Sequence, residues 1–257
     1  MGISPISQTH YSGCAFPAAC PASRQKQSAL VVGLEMKPCT PRLHLDALPS
    51  ATRRALDAFK TMRFLGKQGW YLAGGTALAL HAGHRQSVDL DFFCERGFRG
   101  ALLERRLFGT GKWITRSRDD GTLYGEFAGA KVSFIAYPFF MPSKERVRYG
   151  TVLILTPPDI AAMKIIAISQ RGRKRDFIDL YWYCAHEAPL DETIKKALAH
   201  YPGKEHNVSH FLKSLVYFDD ADPDPMPRLF FKADWKTIKA FFRHEVPQIA
   251  KELLRLK

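Results

Sequence analysis

Asp89 and Asp91 stand on either side of Leu90 in the stretch YLAGGTALALHAGHRQSVDLDFF, residues 71–93. Carboxylates are poor strand formers and costly to bury without a partner. On a strand, residues two apart share a face, so this pair would project side by side and repel unless a cation lay between them. A divalent ion, Mg²⁺ or Mn²⁺, takes a few carboxylate oxygens and completes its shell with substrate phosphates. Upstream, Gly74, Gly75 and Thr76 open a predicted helix. Glycine lets a backbone come close to a phosphate, and helix N-terminal amides favour anions. Two aspartates at this spacing arise by chance about once in two chains of this size. The glycines, the helix and the acids in this order are rarer, and together they suggest one arrangement that holds phosphates and the metal bridging them.

A second informative stretch is PDIAAMKIIAISQRGRKRDFIDLYW, residues 158–182. Lys164 is its only charge between Ile160 and Ile168, and its helical neighbours Ile160, Ala161, Ala167 and Ile168 are all apolar. Such a lysine must reach solvent or meet an anion, and a triphosphate would serve. The same neighbours would welcome methionine in its place. Arg171, Arg173, Lys174 and Arg175 then form a dense positive patch. Asp176 and Asp179, three apart, share a face of the following helix. Arg175 with Asp176 reads as a structural ion pair, and Tyr181, Trp182 and Tyr183 as packing.

The first stretch resembles the first motif of the AbiEii/AbiGii toxin family of nucleotidyltransferases, within the DNA-polymerase-β-like superfamily. The similarity extends over roughly residues 43 to 250. It implies an α+β fold in which a mixed β-sheet with flanking helices precedes a helical C-terminal region. It also implies transfer of a nucleotide from an NTP, with Asp89 and Asp91 holding Mg²⁺ or Mn²⁺ and Gly74, Gly75 and Thr76 cradling the triphosphate. Carried over from the family's later motif, Lys164 contacts the nucleotide phosphates with Arg175 beside it, and Asp179 positions Lys164 or the substrate. The implied acceptor is RNA, a tRNA 3′ end, and the implied partner is a cognate antitoxin. One departure stands out: Ser133 occupies the place of a third metal-binding acid, and Glu126 on the neighbouring strand is a candidate substitute. Rival readings are nucleotidylation of a protein or small molecule, and a noncatalytic nucleotide- or RNA-binding module.

The elements that must position these residues follow from periodicity and breakers. SATRRALDAFKTMRFL predicts one helix with Ser50 as its N-cap, GWYLAGG a strand, TALALHAG a short helix, and SVDLDFF a strand carrying both acids. After a helix over RGALLERRLF, residues 112–140 predict successive strands turning at Asp120–Gly121 and near Gly129. From Pro158 the pattern is helical, with Gly172 ending the first helix. His84 with Arg85 lies close enough to the acids to touch phosphates, although such residues more often close a turn. His81 and His84 are also candidate bases, and Ser87 could donate a hydrogen bond beside Asp89. The divisions expected are a tail over 1–40 with at most one short strand in ALVVGLEM, a nucleotidyltransferase core over 41–156, and a helical domain over 157–257.

Bulk properties set limits. A hydrophobic content of 46% supplies a core, and a formal net charge of +13 favours a polyanionic partner. The five cysteines are scattered without paired spacing, which argues against a zinc site or a disulfide framework and for a reducing, cytoplasmic setting. No run is long and apolar enough to span a bilayer.

Overall fold

The computed structural model describes residues 42–201 and 208–255; the expected tail and its short strand lie outside them. The first helical pattern forms two helices, α1 (Ser50–Phe59) and α2 (Arg63–Lys67), separated at Lys60–Met62. Pro49 rather than Ser50 occupies the N-cap position, and no side chain caps the helix. Strand β1 (Tyr71–Ala73) runs straight into α3 (Gly74–Ala82). Strand β2 spans Leu90–Cys94, so Asp91 lies on it and Asp89 stands just before it, a correction to the expectation that both acids lie within the strand. Next come α4 (Gly100–Phe108), β3 (Trp113–Asp119), β4 (Thr122–Phe127) and β5 (Ala130–Ala136), the last three turning where the glycines predict.

Two short strands, β6 (Val147–Tyr149) and β7 (Val152–Ile154), were not anticipated, since three-residue strands carry almost no periodic signal. They complete a seven-stranded mixed sheet in the order β3-β4-β5-β2-β1-β7-β6. The β2–β5 and β1–β7 pairs are parallel and the others antiparallel. Helices α5 (Pro157–Arg171), α6 (Lys174–His186), α7 (Leu190–His200), α8 (Val208–Ser214) and α9 (Trp235–Arg255) form the helical C-terminal region.

Strand alternation gives the sheet two different faces. Leu90, Phe92, Val132, Phe134, Leu123 and Phe127 turn to one side and pack with Phe59 of α1 and Leu103 and Leu107 of α4. The rings interlock there, with Phe59 at 4.6 Å from Phe127 and Phe92 stacked on Phe134 at 5.2 Å between centroids. Asp91, Phe93, Ser133, Ile135, Tyr124 and Glu126 turn to the other side and form the floor of a cleft. Helix α5 is apolar around most of its circumference, as a helix enclosed by neighbours must be. It packs against α3, α6, α7 and α8 and brings Lys164 to the cleft wall. No described helix is long and apolar enough to cross a membrane.

Candidate functional site

The cleft has a volume of about 810 Å³ and gathers both informative stretches. Gly74, Gly75, Thr76, Asp89, Asp91, Lys164 and Arg175 all line it, whereas Asp179 lies behind the wall. Gly74 has φ of 69°, a left-handed conformation that favours glycine. A Cβ there would come within 3.0 Å of Asp91 Oδ2, so the missing side chain lets the turn rest on that carboxylate. At Gly75 a Cβ would lie 2.2 Å from Arg85 Nη2. Part of what demands glycine here is thus an arginine of the chain itself, which sequence reasoning attributed to a phosphate.

Thr76 is buried, and its hydroxyl is committed inward. It donates to the Asp89 carbonyl, which can only accept, so the 2.8 Å contact with Ser87 must have the Ser87 hydroxyl as donor. This pair fixes the backbone that carries Asp89. Ser87 therefore serves the main chain, and Thr76 has only its backbone N–H to offer an anion. No side chain caps α3.

The carboxylate pair is held asymmetrically. Asp89 Oδ2 accepts a 3.0 Å hydrogen bond from Arg175 Nη1, while Asp91 Oδ1 accepts one of 2.6 Å from Ser133 Oγ. Burial, then the nearby Asp89 charge, push the Asp91 carboxyl above its usual range against the opposing Ser133 bond. Arg175 was expected to pair with Asp176 and instead reaches Asp89, because Asp176 is turned inward to Lys164.

Lys164 is 5% exposed. Its Nζ lies 2.6 Å from Asp176 Oδ1 and 2.7 Å from Asp179 Oδ2. Asp179 also receives a two-pronged contact from Arg85, Nε to Oδ1 at 2.6 Å and Nη2 to Oδ2 at 2.9 Å. His84 Nε2 approaches the same Oδ1 at 2.8 Å. Burial alone would raise the Asp179 carboxyl, but Arg85, Lys164 and the His84 bond outweigh it and hold the group well below the usual carboxylate range. Burial lowers His84, so it is neutral with the proton on Nε2 donated to Asp179. His84 and Arg85 thus brace Asp179, and Arg85 also lines the cleft. His81 is likewise occupied, with Nε2 at 2.7 Å from the Leu155 carbonyl. Trp182 packs against the His84 ring at 5.3 Å, in keeping with a packing role.

Sequence reasoning missed the Arg85–Asp179 contact, which spans 94 positions. The available signal was Lys164 itself, a cation on an apolar helix with two acids on the next one.

A metal can be tested against these groups. Among the described residues no cluster of three or more acidic, histidine or cysteine side chains is placed to hold an ion. Glu126 is not grouped with Asp89 and Asp91 in such a cluster; its carboxylate is bound by Arg116 at 2.8 Å. What remains is Asp89, Asp91 and the Ser133 hydroxyl, a small set of hard oxygens. Such a set fits a magnesium-like ion that draws its other ligands from phosphates and water.

Comparison with known proteins gives matches over most of the chain. A family model described as the nucleotidyl transferase AbiEii toxin of a type IV TA system matches residues 54–149 and 131–253. An uncharacterized protein of Aquifex aeolicus strain VF5 is 34% identical over 184 residues, which is 70% of this chain and 87% of its own. The solved structure of MenT4, a nucleotidyltransferase toxin of Mycobacterium tuberculosis, superposes with a TM-score of 0.51 at 14% identity. That alignment covers 79% of this chain and 86% of MenT4, and it speaks for the fold alone.

Proposed function

The chain belongs to the AbiEii nucleotidyltransferase toxin family, and we propose that it transfers a nucleoside monophosphate from an NTP to the 3′ end of an RNA, with tRNA as the first candidate. In this reading it is the toxin of a toxin–antitoxin pair, and its protein partner is the cognate antitoxin. The observation that carries the reading is one cleft containing a glycine turn seated on Asp91, a second acid beside it, and the cations Lys164 and Arg175. The net charge of +13 suits a polyanionic acceptor.

The triphosphate lies at the start of α3, where Gly74, Gly75 and Thr76 offer backbone N–H groups. Lys164 has three N–H donors and spends two on Asp176 and Asp179, leaving one for a phosphate oxygen. Arg175, half exposed, is the second cation of the site. Asp89 and Asp91 would hold the divalent ion, which when bound neutralises triphosphate charge and polarises the reacting phosphate. The acceptor hydroxyl oxygen bonds to the α-phosphorus as the bond to the oxygen bridging toward the β-phosphate breaks. Pyrophosphate leaves, and the hydroxyl proton passes to solvent.

The test is incubation of the purified protein with each labelled NTP, Mg²⁺ or Mn²⁺, and total tRNA. Label on RNA from the wild type, absent from Asp89→Asn/Asp91→Asn, is the expected result. Equal labelling by the double variant would overturn the role given to the two acids. A second reading, a binding-only module, is favoured by Ser133 in place of an acid. It predicts Mg²⁺-dependent NTP binding without transfer to any acceptor, whether RNA, protein or small molecule.

A further inference from the structure

The cleft has an end that the triphosphate does not use, and the sheet register fixes its direction. Asp91 pairs with Ser133, Ser133 with Tyr124, and Tyr124 with Ser117, so these residues form one row across β2, β5, β4 and β3. The α3 glycines and Lys164 gather on the β1 side of Asp91. Displacement at phosphorus is in line, with the attacking and leaving oxygens on opposite sides. Pyrophosphate departing toward α3 and Lys164 requires the acceptor to arrive from the other side, over Ser133 and across β4 to the β3 edge.

The side chains there are unlike those of the triphosphate end. Tyr124 is 42% exposed on the cleft floor, and no ring contact or hydrogen bond engages it among the described residues. Lys131 is the register partner of Glu126, but that carboxylate is taken by Arg116, so among the described residues no acid pairs with the lysine, which lines the same cleft as the tyrosine. Arg116 is itself 63% exposed. Strands lie about 4.8 Å apart, so Tyr124 stands roughly 10 Å from Asp91 across the sheet, a span that one or two nucleotides cover. An open aromatic face between two cations is the arrangement that binds single-stranded nucleic acid: the base stacks and the phosphates meet charge. A peptide acceptor would gain little from this pairing of ring and cations.

Resting on the nucleotidyltransferase reading above, we propose that the row from Ser133 through Tyr124 to the β3 edge is the acceptor subsite. Tyr124 stacks on a base at the 3′ end of a single-stranded polynucleotide, while Lys131 and Arg116 take its phosphates. This places the terminal hydroxyl above Ser133, facing the α-phosphate.

The test uses the full chain and a short fluorescent single-stranded RNA with a free 3′-hydroxyl, read by anisotropy and by acceptor KM. Tyr124→Ala should weaken RNA binding and raise acceptor KM by about tenfold, and Tyr124→Phe should restore both. Lys131→Gln should flatten the salt dependence of RNA binding by about 0.7 in log–log slope, the loss of one single-strand phosphate contact. The thermal shift produced by Mg²⁺ and NTP without RNA should be unchanged in all three variants. Wild type that labels RNA while Tyr124→Ala keeps its acceptor KM overturns the subsite and leaves the transfer reading standing. Wild type that binds Mg²⁺-NTP yet neither binds the RNA nor labels any overturns both, as does label found on protein instead.

Discussion

Lys164→Met separates a reading of neighbours from a reading of partners. The apolar residues around Lys164 on α5 suggest that methionine would be tolerated or even welcome. The ion pairs say the opposite. Among the described residues Lys164 is the only cation within hydrogen-bonding distance of Asp176, whose second oxygen has no hydrogen-bond partner there and lies 3.8 Å from Arg171 Nε. Asp176 is 1% exposed, so removing Lys164 strands a buried charge. Breaking one side of a buried pair costs about 3–5 kcal/mol. Asp179 keeps Arg85 and His84, and methionine restores some apolar contact, so the lower end of that range applies. With a urea dependence of about 2–3 kcal/mol per molar, a loss of about 3 kcal/mol moves the unfolding midpoint down by roughly 1 M.

Urea unfolding followed by tryptophan fluorescence measures this directly. Lys164→Met/Asp176→Asn should recover more than half of the loss, because the stranded charge is gone. That double variant also isolates function: folded protein that has lost Mg²⁺-NTP affinity assigns the lysine to the nucleotide, whereas retained affinity assigns it to the Asp176–Asp179 brace. A midpoint for Lys164→Met within error of the wild type would refute the reasoning.

Other expectations follow from the same geometry. His81 and His84 are held below their usual range by burial, so the unfolded chain binds more protons below about pH 6.5 and stability falls there as pH drops; His84→Gln should shrink that slope in pH-dependent thermal unfolding. Asp179 is depressed, so its contribution is complete above about pH 4 and disappears as pH falls further; Asp179→Asn should be less stable at neutral pH and flatter in acid titration. Gly75→Ala should displace Arg85 from Asp179 and cost about 2–4 kcal/mol in urea unfolding, although alanine is ordinarily the better helix residue. Ser133→Asp should lower stability without metal, by adding a third carboxylate beside Asp91, and enlarge the thermal shift on adding Mg²⁺. A smaller shift than the wild type would count against the two acids as the ion's ligands.

Much of this arrangement was legible because it depends on local rules. Alternation placed Asp91 on an open sheet face, and the residues that turn β3 into β4 and β4 into β5 announced themselves. Gly74 and Gly75 marked the start of α3 correctly, but the sequence could not say what each glycine makes room for. Gly74 accommodates Asp91 and Gly75 accommodates Arg85, and both contacts depend on how α3 lies against β2 and α6. The same limit explains the exchange of partners at Arg175. Sequence adjacency favours Asp176, whereas the rotation of α6 turns Asp176 toward α5 and Arg175 outward to Asp89. The break between α1 and α2 was hidden because Lys60–Met62 contains neither glycine nor proline.

Burial then sorts the four aspartates that the sequence presents as equals. Asp176 and Asp179 lie almost wholly out of water, at 1% and 0% exposure, and their charge is offset by Lys164 and Arg85 on neighbouring elements. Both oxygens of Asp179 are taken, so it has little left for a substrate and would act through the cations it fixes. Asp89 and Asp91 are partly exposed to the cleft, share among the described residues only one guanidinium and one hydroxyl as side-chain hydrogen-bond donors, and repel each other. The Arg175–Asp89 contact is a weak restraint, since both groups retain solvent and an exposed pair contributes about 0–1 kcal/mol. A cation that takes Asp89 therefore displaces Arg175 at little cost, and the released guanidinium is already at the cleft where a triphosphate would lie. Metal and nucleotide affinity should accordingly rise together, and Arg175→Gln should reduce that coupling while leaving the Mg²⁺ affinity of the nucleotide-free protein intact or improved.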